Sequence, residues 1–382
     1  MGTSIQSLSA RVSLVATPDT WIESKAIQQL EKTTELEGIV SSAGMPDLHP
    51  GRGYPIGAVF VAQQRIYPAL VGNDIGCGMS LWKTGLQVRK VKLEKLERRL
   101  HDLDGPLDEA WHEFVSRRQR ELGLAPTEWD RALGTIGGGN HFAELQQLDQ
   151  VGDPSVLEST GIAKNQLVLL VHSGSRGFGE RILRQHVDQF SHQGLREDTE
   201  EFAAYLRQHN QALLYARLNR ELIARRMLER LAANGEPVLD VNHNLVAPVA
   251  YQGQSCWIHR KGATPADQGL VMIPGSRGDY SYLVTPKPTA ASLYSLAHGA
   301  GRKWMRSDCK GRLSPRYRAE QLERTALGSR VICKDKALLY EEAPEAYKAI
   351  DSVIDAMLQA DLITVVARFK PVLTYKTQGG CK

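Results

Sequence analysis

A cysteine and an aspartate lie three residues apart in a glycine-rich segment of this 382-residue chain. Asp74 and Cys77 belong to Asn73-Asp-Ile-Gly-Cys-Gly-Met79, which follows an apolar run. The glycines allow a tight loop that turns both side chains toward one point. A thiolate beside a carboxylate needs a compensating cation, and a metal ion is the natural one. On this pair alone, a metal site and a buried structural cysteine beside a turn aspartate are equally good interpretations.

Three histidines occur in similar surroundings. His141 follows three glycines and an asparagine, His172 ends an apolar run, and His243 stands between two asparagines. One such histidine is more often a hydrogen-bonded structural residue, but three of them together favour a shared site. With Asp74 and Cys77 they offer one ligand too many for a closed tetrahedral zinc site, and enough for two metals if one ligand bridges. Ligand softness alone favours zinc.

Two Gly-rich turns are suited to anions. The loop Thr135-Ile-Gly-Gly-Gly-Asn-His-Phe-Ala-Glu144 has backbone that can approach a phosphate closely. It matches neither a dinucleotide fingerprint nor a P-loop, because no Lys-Ser/Thr follows the glycines, so a simple tight turn is the competing interpretation. Arg176 lies in the turn after His172, where a guanidinium can contact an anion.

His298 is embedded in small residues that leave its ring open to a ligand. It could serve as a metal ligand, a general acid or base, or a nucleophile at phosphorus, and spacing does not choose among these. Residues 302–330 hold nine Lys/Arg against three acids, a local charge of +6 that suits a polyanion approaching His298. A solvated charged face is the competing interpretation. The Arg-rich stretch 217–230 is interpreted as such a solvated helix face.

The elements that must position these loops follow from the apolar pattern. Short β-branched runs predict buried strands over 58–62, 166–171 and 361–366. Apolar spacing predicts helices over 91–100, over 199–231 and from Pro344 onward, the last with Tyr347, Ile350, Ile354 and Met357 on one face. Strands and helices do not alternate regularly, so the pattern favours an α+β fold, with sheets flanked by helices, over a doubly wound sheet. No repeat or linker divides the chain, which predicts a single domain over 1–382.

Composition excludes several classes of protein. With 42% apolar and 24% charged residues and a net charge of +4, the chain is neither disordered nor fibrous. No apolar run approaches the ~20 residues of a membrane span, and the first residues lack the apolar stretch of a signal peptide. Five scattered cysteines, an odd number, argue against a disulfide framework and predict a reducing, cytoplasmic location.

Taken in order, these segments resemble the RtcB family of RNA ligases. The resemblance runs from about residue 45 to Lys376, and although each motif is weak alone, the ordered set is highly specific. The motifs are Pro46-Asp-Leu-His-Pro-Gly51, Gly72-Asn-Asp-Ile-Gly-Cys-Gly78, Gly138-Gly-Asn-His-Phe142, His172-Ser-Gly-Ser-Arg-Gly177, His243-Asn244, His259-Arg-Lys-Gly-Ala-Thr264, Pro274-Gly-Ser276 and His298-Gly-Ala-Gly-Arg302.

The resemblance implies a GTP- and Mn²⁺-dependent ligase that joins RNA ends carrying a 3′-phosphate or 2′,3′-cyclic phosphate to 5′-hydroxyl ends. The family's nucleophile, which becomes guanylylated and passes GMP to the RNA 3′-phosphate, matches His298. The family's metal ligands match Asp74, Cys77, His141, His172 and His243, with Cys77 bridging. In the family these ligands hold two Mn²⁺ ions, so the resemblance implies Mn²⁺ where ligand softness favours zinc. Its guanylate contacts match Asn140, Phe142, Glu144, Ser276, Ser281, Ala300, Gly301, Tyr347 and Lys376, and its RNA or anion contacts match Arg176 and Arg306.

The chain departs from the family pattern in places. The usual Gly-Ser-Met-Gly-Thr reads Gly275-Ser-Arg-Gly-Asp279, which predicts a cation and an anion beside the guanylate pocket, and residues 377–382 extend past the usual terminal lysine. Segment 295–310 looks most like the subgroup coupled to a release-factor homologue, which implies repair of tRNA or rRNA rather than splicing.

Two other functions remain open at this point. A metal-dependent phosphohydrolase or cyclic phosphodiesterase would use the same metal ligands with water as the nucleophile, and would not need an accessible His298 or a guanine pocket. A non-catalytic RNA- or ribosome-binding protein would keep the basic segment but tolerate loss of His298 or Cys77, and both are present.

Overall fold

The computed structural model of the chain describes residues 4–100 and 103–377. The strands are β1 Ile5–Ser9, β2 Val12–Val15, β3 Ile39–His49, β4 Ile56–Ala62, β5 Arg65–Ile66, β6 Gly78–Gln87, β7 Phe142–Val151, β8 Gln166–Ser173, β9 Leu195–Arg196, β10 Gly235–Asn242, β11 Asn244–Tyr251, β12 Gln254–Lys261, β13 Ala263–Pro265, β14 Val271–Pro274, β15 Ser281–Pro286, β16 Ser295–Ala297, β17 Arg330–Ile332 and β18 Ile363–Tyr375. The α-helices are α1 Ser24–Thr33, α2 Leu93–Leu100, α3 His112–Leu122, α4 Pro154–Ser159, α5 Gly177–Phe190, α6 Glu200–Leu231, α7 Arg306–Leu313, α8 Lys336–Glu341 and α9 Ile350–Gln359.

Two large sheets organise these elements. One has six strands in the order β1-β2-β3-β4-β12-β11, and the other has eight, in the order β10-β6-β8-β7-β18-β15-β14 with β17 paired to β18. Most neighbours are antiparallel, and parallel pairing joins only β2 to β3 and β17 to β18 within the described sheets. The mixture of helices with largely antiparallel sheets confirms the predicted α+β fold.

Apolar side chains from both sheets share one core. Val59 of β4, Ile273 of β14 and Val284 of β15 belong to the same buried cluster, together with Ile350 and Val353 of α9. The long helix α6 instead packs, together with α2, against the eight-stranded sheet. Among the described residues, no helix is long and apolar enough to cross a membrane.

Most of the elements that the sequence predicted are present in the structure. The expected strands over 58–62, 166–171 and 361–366 correspond to β4, β8 and the first part of β18, and the expected helices over 91–100 and 199–231 correspond to α2 and α6. The helix expected from Pro344 is wrong at its start. Pro344–Ala346 forms a 3₁₀ turn, and α9 begins at Ile350. Between them Tyr347 is extended because it pairs with Arg302 in an isolated β-bridge.

The interpretation of 217–230 as a solvated face is wrong for two arginines. The Arg220 side chain is wholly buried, and Arg226 is nearly so. The Arg226 guanidinium donates to the carbonyl oxygens of Gly105 and Gly134, so it ties α6 to the loops that cover it. The sheet covers one side of α6 and these loops cover another, so the side chains of Arg220 and Arg226 have little contact with solvent.

Arg220 connects α6 to the ends of three strands. Its guanidinium pairs with both carboxylate oxygens of Asp240 and donates to Oδ1 of Asn242 at 2.7 Å, both in β10. It also donates to the carbonyl oxygen of Gly76 at 2.7 Å and to that of Ser173 at 3.0 Å. Planar guanidinium geometry allows all these bonds at once, which an ammonium could not do.

We predict that Arg220→Met destabilises the protein by about 3–5 kcal/mol, because it leaves Asp240 and two strand-end carbonyls without their buried donor. Urea unfolding followed by circular dichroism measures this change. Arg217→Met is the matched control, since Arg217 lies on the same helix but is exposed, and it should change the free energy of unfolding by less than about 0.5 kcal/mol. Equal stabilities of the two variants would contradict the role given to Arg220.

Candidate active site

The eight-stranded sheet brings the predicted metal ligands to one edge. Strands β10, β6, β8 and β7 are consecutive neighbours, and their registers pair Gly78 with both Asn242 and Ser173. His172 lies at the end of β8 opposite Phe142, the first residue of β7. Residues that directly precede or end these strands therefore converge, although they come from four separate parts of the sequence.

The five predicted ligands form one cluster around the Cys77 thiol, in which all but the partly exposed Asp74 are buried. Sγ of Cys77 lies 3.1 Å from Nε2 of His172 and 3.4 Å from Nε2 of His141. Nε2 of His172 lies 3.3 Å from Nε2 of His243, and Nε2 of His141 lies 2.8 Å from Oδ2 of Asp74. Two overlapping sets of possible ligands result, Cys77-His172-His243 and Asp74-Cys77-His141, each with its ligand atoms within 4.8 Å of one another. Cys77 is the member that both sets share.

Burial controls the protonation of this cluster. It lowers the pKa of His172 and of His243 well below the usual value, and the neighbouring histidines lower both further. Burial also raises the pKa of the Cys77 thiol, and the adjacent Asp74 carboxylate adds to that rise. Burial would raise the pKa of Asp74 as well, but His141 and Arg176 together hold it below the usual value. The imidazoles of His172 and His243 are therefore neutral, as metal ligands must be.

The donor set fits divalent transition metals. Imidazole and thiolate ligands suit zinc and its neighbours, and the carboxylate adds a harder oxygen. Oδ1 of Asp74 is buried without a hydrogen-bond partner, which costs free energy unless a cation or proton satisfies it. Around the cluster, Nδ1 of His172 lies 3.2 Å from the carbonyl oxygen of Asn140, and Nδ2 of Asn244 donates to the carbonyl oxygen of Asp74. Contacts of this kind fix the orientation of ligating side chains.

His298 lies beside this cluster and lines a cavity of about 1590 Å³. It follows β16, and its ring centroid is 4.8 Å from that of His243. Nδ1 of His298 lies 2.6 Å from Oδ2 of Asp47, and the His298 backbone N–H donates to the same oxygen at 3.2 Å. Sequence reasoning quoted the motif that contains Asp47 but gave this carboxylate no role. The signal was available, since an aspartate between apolar residues in a strand needs a partner.

A second polar group surrounds the buried carboxylate of Glu144. Nε2 of Gln146 donates to Glu144 Oε1 at 2.7 Å and to Ser281 Oγ at 2.8 Å, while the Thr374 hydroxyl donates to Glu144 Oε2. Burial raises the pKa of Glu144 to about 7, against the effect of these donors and of Lys376. The structure thus joins Glu144 to Ser281 through Gln146, a residue that sequence reasoning missed.

A third group centres on Glu342, which sequence reasoning also missed. Its carboxylate lies 3.0 Å from Nη1 of Arg302 and 3.6 Å from both Nε of Arg306 and Nζ of Lys376, and it accepts a hydrogen bond from the Tyr347 hydroxyl. Burial opposes ionisation, but Lys376, Arg306 and Arg302 together lower the pKa of Glu342 to about 2. This carboxylate therefore holds three cations and a tyrosine at one wall of the cavity.

The cavity brings together most residues that the sequence singled out. Glu144 and Ser281 are buried and do not line it, although Thr374, whose hydroxyl donates to Glu144, does. The predicted residues that line it are Asp74, Cys77, Asn140, His141, Phe142, His172, Arg176, His243, Ser276, His298, Ala300, Gly301, Arg306, Tyr347 and Lys376.

Two glycines of the loop over 135–144 leave room for Arg176 and Arg306, the two arginines predicted to contact anions. Gly137 has φ +94°, and a Cβ there would lie 1.9 Å from Nη1 of Arg176. A Cβ on Gly139 would lie 3.0 Å from Nη2 of Arg306. Of the basic segment 302–330, Lys303 lines the cavity with Arg302 and Arg306, whereas Arg330 pairs with glutamates of α2. Only the first part of that segment therefore faces the cavity.

The variant segment Gly275–Asp279 ties the cavity wall to the C-terminal helices. The Arg277 side chain is among the lining residues, but its Nη2 donates to the carbonyl oxygens of Leu322 and Leu339. Asp279 accepts from the backbone N–H of Ile350, at the start of α9. The expected cation and anion are thus present, and both already make contacts within the protein.

Comparison with known proteins agrees with this geometry. The family model for tRNA-splicing ligase RtcB matches residues 29–121 and 104–377. The chain belongs to the RtcB family of RNA ligases. Its similarity to an RNA-splicing ligase RtcB2 from Escherichia coli ATCC 25922 is 54% identity over 382 residues, covering all of both chains.

More distant relatives of the RtcB family also match over most of their length. The RNA-splicing ligase RtcB of Escherichia coli K12 is 30% identical, with 93% of this chain and 95% of the relative covered. The tRNA-splicing ligase RtcB of Archaeoglobus fulgidus is 30% identical, with 92% and 91% covered. The resemblance to the RtcB family, inferred from the ordered motifs, is therefore confirmed.

The shared position of Cys77 predicts that its loss affects both sets of ligands. With Co²⁺ as the probe, the wild type should show a thiolate-to-cobalt absorption band, and Cys77→Ser should lose the band and bind metal at least tenfold more weakly. Absorption titration and equilibrium dialysis measure both effects.

Cys309→Ser is the matched control, because Cys309 is equally buried but lies outside the cluster. It should keep the wild-type band. A band that survives in Cys77→Ser would contradict the assignment of the thiol.

Proposed function

We propose that this protein is a GTP- and Mn²⁺-dependent RNA ligase that joins 3′-phosphate or 2′,3′-cyclic phosphate ends to 5′-hydroxyl ends through guanylylated His298. The observation that carries the proposal is the position of His298, held against Asp47 at the rim of the metal-ligand cluster. The family supplies the ligase chemistry, and the contacts around His298, Glu144 and Lys376 support the particular steps.

The first step is attack by His298 on the α-phosphate of GTP. Asp47 engages Nδ1, which leaves Nε2 as the nitrogen free to attack. A phosphorus–nitrogen bond forms, the bond from the α-phosphorus to the bridging oxygen breaks, and pyrophosphate leaves. The Asp47 carboxylate stabilises the positive charge that develops on the ring. A 2′,3′-cyclic phosphate end must first be opened by water, which breaks the bond to the 2′-oxygen and leaves a 3′-phosphate. GMP then passes from His298 to the RNA 3′-phosphate, giving an RNA-3′-pp-5′-G end, and the 5′-hydroxyl displaces GMP to form the 3′,5′-phosphodiester.

The metal ligands in this proposal are Asp74, Cys77, His141, His172 and His243. Bound divalent ions would neutralise phosphate oxygens and clamp the attacking and leaving groups. The overlapping ligand sets support two ions per site with Cys77 between them. Softness of the donors still favours tight zinc binding, so the identification of Mn²⁺ rests on the family.

Guanine selectivity follows from the buried carboxylate of Glu144. An ionised carboxylate accepts from the N1–H and the amino group of guanine, whereas adenine has no donor at N1. Ser281 and Lys376 lie in the same polar region, and Asn140, Phe142, Ser276, Ala300, Gly301 and Tyr347 complete the proposed guanylate site. Arg176 and Arg306 at the cavity wall provide charge for the RNA phosphates.

The proposal also covers the natural RNA substrate and a protein partner. Similarity of segment 295–310 to the subgroup coupled to a release-factor homologue supports repair of cleaved tRNA or rRNA, and a functional link to such a homologue. Few scattered cysteines support a cytoplasmic site of action.

Intact mass spectrometry tests the first step. Wild type incubated with GTP and Mn²⁺ should gain the mass of GMP, and acid should remove it, because a phosphoramidate is acid-labile. His298→Ala should gain nothing. His192→Ala, which alters an exposed histidine outside the cavity lining, is the matched control and should gain GMP like the wild type.

The same samples should then seal RNA with 3′-phosphate and 5′-hydroxyl ends, and His298→Ala should not. A wild type that binds both metal and GTP but forms no adduct would refute the covalent mechanism for this chain acting alone.

The preference for GTP over ATP should depend on pH. The pKa of Glu144 is about 7 and the ionised form accepts from guanine, so the ratio of GTP to ATP affinity should rise as pH increases through 7 and fall about tenfold per unit below it. The ratio cancels the titration of the triphosphate, which both nucleotides share. Equilibrium binding from pH 5.5 to 8.5 measures it.

Glu144→Gln removes the titrating group and should give a low ratio that does not change with pH. A wild-type ratio that is flat over this range would contradict guanine recognition by Glu144.

A further inference from the structure

Strand β3 loses its regular pairing with β4 at the residue that holds His298. The register pairs Gly44 with Ala58 and His49 with Ile56, so five steps along β3 oppose two along β4. Such a bulge leaves backbone groups without partners in the ladder, and bulges are frequent beside active sites. Asp47 lies inside this bulge and is wholly buried.

The ammonium group of Lys348 satisfies the backbone on both sides of Asp47. Nζ donates to the carbonyl oxygen of Pro46 at 2.8 Å and to that of Leu48 at 3.0 Å. The lysine is buried, at 5% exposure, and the half-exposed Trp21 ring lies 5.8 Å from Nζ. Burying an ammonium is costly, so it persists where it makes strong hydrogen bonds.

Other contacts leave Asp47 little freedom. Nδ1 of His49 lies 2.8 Å from the Asp47 carbonyl oxygen. A Cβ on Gly57 would lie 2.8 Å from Asp47 Oδ1, and one on Gly301 would lie 2.3 Å from the Asp47 carbonyl oxygen. Lys348 is the cation in this set, and it bridges the two peptides that flank Asp47. Movement of either peptide would turn the carboxylate away from Nδ1 of His298.

We infer that Lys348 is a positioning residue for the nucleophile: its ammonium clamps the Pro46 and Leu48 carbonyls and thereby sets the contact between Asp47 and His298. This inference rests on the proposed function for its effect on rate, but the clamp itself is a property of the fold. Because Lys348 acts through Asp47, its loss should slow attack on GTP without weakening the binding of GTP. A displacement of about 1 Å at a reacting group is enough to cost about a hundredfold in rate.

The test compares Lys348→Met, Lys348→Arg and the control Lys287→Met, which removes an exposed lysine paired with Asp361. Rapid mixing with saturating GTP and Mn²⁺ gives the single-turnover rate of adduct formation, and equilibrium binding gives the dissociation constant for GTP. Lys348→Met should be about 10- to 100-fold slower, with a dissociation constant within twofold of wild type. Lys348→Arg, which can still donate to both carbonyls, should recover part of the rate, and Lys287→Met should match wild type.

Hydrogen–deuterium exchange provides a readout that does not depend on guanylylation. Peptides spanning residues 45–49 should exchange faster in Lys348→Met than in wild type or Lys287→Met, while peptides from α6 should not change. If Lys348→Met does not fold, Lys348→Gln, which keeps one donor on a shorter chain, takes its place in both measurements.

Two results would overturn the inference: unchanged exchange at 45–49, or a loss of rate that is matched by an equal loss of GTP binding. If wild type itself forms no adduct, the proposed function fails, and faster exchange in the variant would still establish the clamp.

Discussion

The packing of the predicted metal ligands around Cys77 is the constraint on which the rest of the site depends. Burial keeps His172 and His243 unprotonated, and Nε2 of His172 lies 3.1 Å from the sulfur and 3.3 Å from Nε2 of His243. Neutral imidazoles packed this closely are suited to a divalent cation, which would bind their lone pairs. The sheet can hold the group ready because the ends of β6, β8 and β10 are tied together from behind by Arg220. The same guanidinium therefore supports both the fold and the candidate metal centre.

His298 lies between a cluster of side chains suited to binding cations and a group of side chains that are themselves cations. On one side its ring contacts His243 and the cluster that requires cations. On the other side the chain runs through Ala300 and Gly301 to Arg302, which joins the cations around Glu342. A nucleoside triphosphate needs positive charge along its phosphates and a selective pocket for its base. The cavity wall supplies the positive charge, and Glu144, the carboxylate proposed to select the base, is buried next to the cavity-lining Thr374. His298, the proposed nucleophile, lines the same cavity.

Sequence patterns predicted the parts of this arrangement that are local. His141 directly precedes a strand, His172 lies at the end of one and His243 follows one, and the glycines and asparagines around them identify all three. Asp47 and Arg220 were missed, or misjudged as solvated, because their partners lie far along the chain. Glu342 was missed because the three cations around it come from other parts of the chain. Asp47 meets His298 across 251 residues, and Arg220 meets Gly76 across 144. Pro344 was a correct signal for a turn but not for a helix, since Tyr347 is held extended by Arg302. The single domain over 1–382 stays a prediction. Cys381, one of the five scattered cysteines, lies outside the described residues.

The arrangement around His298 bears on the choice between a ligase and a hydrolase. A metal-dependent hydrolase needs the ligand cluster and a water molecule, and the buried carboxylates Asp47 and Glu144 would bring it nothing. Each of these carboxylates costs free energy to bury, and each has a role in the proposed ligase reaction. Asp47 lies against Nδ1 of His298, which in the proposed mechanism leaves Nε2 to attack GTP. In the same proposal, Glu144 accepts hydrogen bonds from guanine. If His298 is the nucleophile, as proposed, it lies beside the predicted metal ligands and would compete with water for the phosphorus atom. These features favour group transfer through the protein itself.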